Sequence, residues 1–206
     1  MKKTTRPIFP AFAPTMTTAR LLIRPMQQSD LEDFHVLRTQ YEVMKWTSTG
    51  KIDRDLEATQ IWLNRSLPPD GVSTFNFAVE ELSKPGKVTG ALGCHQTEPP
   101  ECGYMFRVEH WGKGYATEAF RRWLQAWWEL PRREVVIDDS DSGSQDATEV
   151  EFVPEVLRAD IDEVNVASAR ILANSGFHPV SVEVVEHNGT NIKLIALELQ
   201  RPIYQS

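Results

Sequence analysis

Apolar positions recur with two periods along this chain, and each change of period marks a change of element. Arg20 to Met26 alternates as a first strand. The Gln-Gln-Ser-Asp30 stretch caps a helix carrying Leu31, Phe34, His35, Leu37 and Arg38 at helical spacing. Asp53 or Asp55 opens another, with Leu56, Thr59, Ile61, Trp62 and Leu63, and Pro68-Pro69-Asp70-Gly71 stops it. Three alternating runs follow, Thr74 to Leu82, Val88 to His95 and Glu101 to Val108. Turns at Ser83–Gly86 and Thr97–Pro100 join them into a predicted antiparallel meander. Ala116 to Trp128 returns to helical spacing, with Ala119, Phe120, Trp123, Leu124 and Trp127 on one face and Pro131 beyond the end. A strand is expected at Val156 to Ile161, with Val135-Val136-Ile137 as a rival for its place. Asn165 opens the last helix, and Gly176 is placed at its C′ position. Val180 to Glu186 pairs with Ile192 to Leu199 through a turn at His187-Asn188-Gly189-Thr190.

Composition narrows the class. A chain of 206 residues is long enough for one well-buried domain and short for two. The expected division is a flexible N-terminal tail over residues 1–16 and a single domain over 17–206. The tail begins on basic residues, but Pro7, Pro10 and Pro14 break its apolar stretch, so it does not read as a signal peptide. No apolar run reaches the length needed to span a bilayer, so no membrane partner is expected. Cys94 and Cys102 are the only cysteines and flank the second meander turn. They read as reduced core thiols of a cytoplasmic protein. No pair of histidines accompanies them, so no metal site is expected.

The formal net charge is −7, which argues against nucleic acid as a partner. Glu134, Asp138, Asp139, Asp141, Asp146, Glu149 and Glu151 lie in a stretch without Lys or Arg, and outside it the acidic and basic residues balance. This stretch reads as an acidic insertion at about residues 134–152, with Ser140 to Asp146 as a solvated loop.

The candidate chemistry lies at Trp111-Gly112-Lys113-Gly114-Tyr115-Ala116-Thr117-Glu118-Ala119, between a strand and a helix. A glycine turn there presents free backbone N–H groups to an anion. Two glycines one residue apart let a phosphate approach with no Cβ in the way. The dinucleotide fingerprint is excluded because Thr117 stands where its third glycine belongs. The nucleotide P-loop is excluded because Gly114, not Ser or Thr, follows Lys113. By spacing alone, an anion site and a plain strand-to-helix turn both remain.

The wording of this stretch resembles the acetyl-CoA-binding segment of the GNAT superfamily of N-acetyltransferases. That pattern is Gln/Arg-x-x-Gly-x-Gly/Ala, and Trp111-x-x-Gly114-x-Ala116 matches it except at the first place. Trp111 in that place is similar to the branch containing ribosomal-protein N-terminal alanine acetyltransferases, although His110 stands where that branch often has Tyr or Trp. Asn165-Val-Ala-Ser168 through Gly176-Phe177 resembles a second block of the branch, and Thr18-Ala-Arg20-Leu21 through Pro25 resembles its opening strand.

The resemblance implies a mixed α+β fold, a mostly antiparallel sheet of about seven strands with helices on both faces. It is splayed between its fourth strand (Glu101–Val108) and its fifth (Val156–Ile161), where the cofactor enters. It implies that Gly112, Lys113, Gly114, Tyr115 and Ala116 bind the acetyl-CoA pyrophosphate through backbone N–H groups, with Thr117 adding a hydroxyl and Trp111 packing alongside. It implies that the backbone of Phe106, Arg107 and Val108 pairs with the pantetheine arm, and that Asn165 bonds its amides. Asn165 is equally suited to a helix N-cap.

Amine acetylation needs a base to take the ammonium proton and a donor for the leaving thiolate. Glu101 is the candidate base and Ser168 the candidate acid, against readings as a hairpin acid and a surface serine. Tyr104, His95, Asp160 and Asp162 are weaker candidates for the base. The implied function moves acetyl from acetyl-CoA to a primary amine of a protein N-terminus, a polyamine or a small molecule, in a monomer or homodimer. The alternative is a non-catalytic acyl-CoA-binding module on the same fold.

Overall fold

The computed structural model describes residues 1–11, 13–68, 74–137 and 150–202. The chain begins with β1 (Lys2–Pro7), β2 (Met16–Thr17) and β3 (Leu21–Pro25), then α1 (Leu31–Arg38), α2 (Tyr41–Met44) and α3 (Leu56–Asn64). The meander β4 (Phe75–Glu81), β5 (Val88–Thr97) and β6 (Pro100–Phe106) leads into α4 (Tyr115–Glu129). After it come β7 (Arg132–Ile137), β8 (Glu151–Phe152), β9 (Val156–Asp162), α5 (Val166–Ala173), β10 (His178–His187) and β11 (Thr190–Gln200).

The main sheet holds eight strands in the order β10-β11-β9-β6-β5-β4-β3-β2. Neighbours are antiparallel except β6 and β9, which run parallel across the α4 crossover. The expected mixed, mostly antiparallel sheet is therefore present, and the fifth-strand position belongs to Val156–Asp162. Val135-Val136-Ile137, its rival, pairs with β1 instead.

Strand alternation sorts the core into two layers. Cys102 and Phe106 of β6 join Phe75, Phe120, Trp123, Trp127, Leu157 and Phe177 beneath α4 and α5, and Tyr104 packs against that cluster. Met105, on the opposite face, packs against Phe34, Leu63, Ala78, Val88 and Ala91 beneath α1 and α3. α4 sets the first layer because Ala119, Phe120, Trp123, Leu124 and Trp127 recur on one stripe and are all buried. Trp123 also donates its indole N–H to the Phe75 carbonyl at 3.1 Å. Pro131 cannot continue the helix. The Arg132 guanidinium closes its C-terminus by donating to the Trp127 and Leu130 carbonyls. In the last hairpin, Asn188 and Gly189 both adopt positive φ, 52° and 79°, the turn whose twist suits a two-residue hairpin.

The two ends of the insertion and the N-terminus differ from expectation. Residues 2–7, read as part of a flexible tail, form β1, the centre of a second sheet ordered β7-β1-β8. β1 runs antiparallel to β7 and parallel to β8. Thr4 and Arg6 are buried, the Thr5 hydroxyl donates to Glu155 at 2.7 Å, and Arg6 Nε donates to Glu98 at 2.9 Å. The acidic stretch thus starts and ends in strands. The loop expected at Ser140–Asp146, like the turn at Pro69–Gly71, lies outside the described residues. Cys94 and Cys102 are buried, not joined by a disulfide, and opposite each other on β5 and β6.

Candidate functional site

One bridge, Glu101↔Arg158, joins β6 to β9. Beyond it the two parallel strands part, so a mouth opens at their C-terminal ends. Arg107 donates its N–H to Thr89 on the β5 side at 2.9 Å. Alternation then turns the backbone groups of Phe106, the last residue of β6, the other way, toward β9. Of the three residues expected to pair with pantetheine, Val108 has both backbone groups bonded, its N–H to Gln40 and its C=O to Trp111 N at 3.0 Å, and so does Arg107. Its N–H is used in the sheet and its C=O accepts from His110 N. Its buried guanidinium reaches away to α1, where Nη2 donates to the Asp33 carbonyl at 2.7 Å and to Asp33 Oδ1 at 2.9 Å. The Phe106 carbonyl accepts from the Trp111 indole at 2.8 Å, and Val108 N–H donates to Gln40 Oε1 at 2.9 Å.

The glycine turn stands at this mouth. Gly112 and Gly114 have φ of 71° and 77°, a region that penalises a Cβ. Gly114 is the N-cap residue of α4, which leaves the N–H groups of the first turn, Tyr115, Ala116 and Thr117, without helical acceptors. Trp111, Gly112, Lys113 and Gly114 are exposed. A Cβ added at Gly112 would meet nothing within 4 Å, and at Gly114 only Arg20 Nη2 at 3.6 Å. An open row of N–H groups at a helix N-terminus fits a pyrophosphate in shape and charge.

Two carboxylates brace the turn, Glu118 from α4 itself and Glu81 from β4, and the sequence reading did not find them. Glu118 accepts from Thr18 Oγ1 at 2.5 Å, Arg20 N at 3.1 Å and Arg20 Nε at 2.7 Å, while Arg20 Nη1 donates to the Lys113 carbonyl at 3.0 Å. The Arg20 guanidinium also lies 4.6 Å from the Tyr115 ring centre. On the other side, the Tyr115 hydroxyl donates to Glu81 Oε2 at 3.1 Å. His110 Nδ1 lies 2.9 Å from Glu81 Oε1, close but off hydrogen-bond alignment. Burial works to raise the Glu81 carboxyl, but Tyr115, His110 and Lys84 outweigh it and hold it below the ordinary value. Burial lowers His110 despite the attraction of Glu81. The signal was present in Arg20 and His110, each noted only as part of a pattern, and each acts through a partner far away in sequence.

Across the mouth, Asn165 is the N-cap of α5, and its Oδ1 accepts from Ser168 N at 3.2 Å. The cap uses only the oxygen. Ser168 sits half-buried in the first helical turn. Tyr104, from β6, joins this side. Its hydroxyl is buried with no aligned hydrogen-bond partner, and burial pushes it up to about 12, opposed by the Ser168 hydroxyl. Such a phenol suits a donor and not a base near neutral pH.

Glu101 stands at the apex of the splay, half-buried, on the opposite face of β6 from Tyr104. Asp162 Oδ1 accepts from Val164 N at 3.1 Å and helps turn the chain into α5. Asp160 is exposed on β9, and the side chain of His95 lies outside the described residues.

A family model for the acetyltransferase (GNAT) domain matches residues 20–178. The chain belongs to the GNAT acetyltransferase family. A Bacillus subtilis relative, "uncharacterized protein YkkB", is 33% identical over 115 residues. That match covers 53% of this chain and 65% of the relative, so it spans less than two thirds of the relative's length. Among solved structures, a spermidine N-acetyltransferase from Vibrio cholerae, in complex with CoA and spermine, is similar with a TM-score of 0.67 at 16% identity, over 89% of this chain and 97% of that one. A ribosomal-protein-alanine N-acetyltransferase from Brucella melitensis gives 0.62 at 17%, over 86% and 98%. At these identities the likeness is one of fold. Within the GNAT fold, the turn, the splay and the two strand ends of this chain occupy a single mouth. Among the described residues, no helix is long and apolar enough to cross a membrane.

Proposed function

We propose that this protein moves an acetyl group from acetyl-CoA to a primary amine by direct attack. The observation that carries the reading is the open Gly112–Gly114 turn, set on the N-terminus of α4 at the mouth between β6 and β9. In it, Gly112, Lys113, Gly114, Tyr115 and Ala116 hold the pyrophosphate through backbone N–H groups, and Thr117 adds its hydroxyl. Phe106 offers its backbone to the pantetheine arm on the β9 side, Val108 joins it only by releasing Gln40, and Trp111 gives up its bond to Phe106 to pack alongside. Asn165 keeps its oxygen on the helix cap and offers its amide N–H₂.

Glu101 takes the ammonium proton, directly or through water, and Ser168 supplies a hydrogen to the departing sulfur. Glu101 stands on β6 and Ser168 in the first turn of α5. The acceptor is a primary amine. The spermidine and ribosomal-protein-alanine enzymes with this fold favour a polyamine or a protein N-terminus. A cytoplasmic location suits both.

The test is release of free thiol from acetyl-CoA across a panel of polyamines, amino-terminal peptides and small amines, with the acetylated product confirmed by mass. Turnover with at least one primary amine is expected. Tight binding of acetyl-CoA with no acceptor acetylated would instead favour an acyl-CoA-binding module.

A further inference from the structure

We propose that Arg121 and Arg122 of α4 bind the 3′-phosphate of the acetyl-CoA nucleotide, in a cavity beside the glycine turn on the side of β2 and β3. The inference rests on the acetyl-CoA reading above and extends it to a part of the donor for which no residue has yet been named.

The cavity has a volume of about 580 Å³. One stripe of α4 and the chain around β2 and β3 form its walls, among them Arg20, Gly114, Thr117, Glu118, Arg121 and Arg122. Gly114 and Thr117 also belong to the turn, so the cavity is continuous with the open N–H groups at the head of α4. In the sheet order, β2 and β3 stand on the other side of β6 from β9. A ligand that enters between β6 and β9 and lays its pyrophosphate across the turn therefore arrives at this cavity with its nucleotide.

The charges in the cavity do not cancel. Glu118, the one acidic residue among its described walls, is bonded to Arg20, with Nε to Oε2 at 2.7 Å. Among the described residues, neither Arg121 nor Arg122 has a hydrogen-bond or ion-pair partner. Two guanidinium charges are thus left over, in a chain whose formal net charge is −7. Arg122 is half-buried and Arg121 exposed. They follow Gly114 by seven and eight positions, about 10–12 Å along the helix axis. Helical side chains lean toward the N-terminus, which carries both heads back toward the turn.

The chemistry of the donor supplies the matching group. Acetyl-CoA has its pyrophosphate on the 5′ carbon of the ribose and a phosphate monoester on the 3′ carbon. A monoester carries a charge of about −1.5 to −2 at neutral pH. Each guanidinium presents a planar fork of N–H donors that fits phosphate oxygens two at a time. Two unpaired arginines therefore balance one phosphate dianion, one ribose away from the pyrophosphate that the turn holds.

Calorimetric titration with acetyl-CoA and with 3′-dephospho-acetyl-CoA tests the assignment. Wild type should bind acetyl-CoA at least tenfold more tightly than the dephospho form. In the double variant Arg121→Gln/Arg122→Gln, shown to be folded by thermal melting, that preference should fall below about threefold. Its affinity for the dephospho form should stay within about twofold of wild type. Equal affinities for the two ligands in wild type would overturn the proposal, and this comparison needs no variant. An undiminished preference in the folded double variant would overturn it too. Equal affinities, with inorganic phosphate raising the melting temperature of wild type but not of the variant, would give the cavity to a separate phosphate and also overturn it. In each of these cases acetyl-CoA still binds and the acetyltransferase reading stands. Only the failure of both ligands to bind wild type would defeat the two together.

Discussion

Glu101 lies on β6 and Ser168 in the first turn of α5, and the roles proposed for them rest on what a carboxylate and a hydroxyl can do. Glu101→Gln keeps the shape and hydrogen-bonding atoms but removes the basic oxygen. It should lower kcat by about a hundredfold with little change in acetyl-CoA affinity. Steady-state kinetics beside calorimetry would show this split, and a near-normal kcat would return Glu101 to the role of a strand residue at the Arg158 bridge. The glycines were legible for a simple reason. Residues that need positive φ leave a mark in the sequence, and both Gly112 and Gly114 have it. Tyr104 left no such mark. A tyrosine in an alternating strand reads as core, and nothing in the spacing says that its hydroxyl is buried without an aligned partner.

The element that matters most is the strand-turn-helix unit from β6 to α4. Its helix was readable from the Phe120, Trp123 and Trp127 stripe, and its turn from Gly112 and Gly114. Its supports were not, because Arg20 and Glu81 come from other strands and periodicity does not report pairs distant in sequence. The brace carries a pH dependence. His110 is held below its ordinary 6.5, so the unfolded chain binds that proton more readily than the native one. Its contribution is therefore present above about pH 6.5 and lost as pH falls below it. Glu81, held below its ordinary 4.5, adds stability that is present above that value and lost as pH falls through its lower native value. Thermal melting should show a decline that begins as pH falls through about 6.5 and steepens below about 4.5. His110→Phe, which keeps a ring against Tyr115, should remove the first part of that decline and leave the second. Equal declines in variant and wild type between pH 7 and 5.5 would show that His110 does not contribute.

At the scale of the whole molecule, the GNAT sheet accounts for the site, and the β7-β1-β8 sheet closes the far end of α4. The sequence hid that second sheet because β1 is Lys-Lys-Thr-Thr-Arg-Pro, a polar run without alternation. Ion pairs and side-chain hydrogen bonds hold it in place of an apolar stripe. Removing residues 1–7 should therefore lower the melting temperature by about 5 °C or more, since it strips Glu155 and Glu98 of their bonds to Thr5 and Arg6 and leaves β7 without its partner strand. Acetyl-CoA affinity should stay within about twofold, because a helix of 15 residues, roughly 20 Å long, separates that sheet from the glycine turn. The central claim is that the turn at the head of α4 holds acetyl-CoA, and calorimetric titration of acetyl-CoA into wild type and Gly114→Glu tests it most directly. The substitution puts a side chain and a negative charge among the open N–H groups of the turn. Saturable one-to-one binding to wild type is expected, weakened at least tenfold, or about 1.4 kcal/mol, in the folded variant. Equal affinity in a folded Gly114→Glu protein would contradict the account.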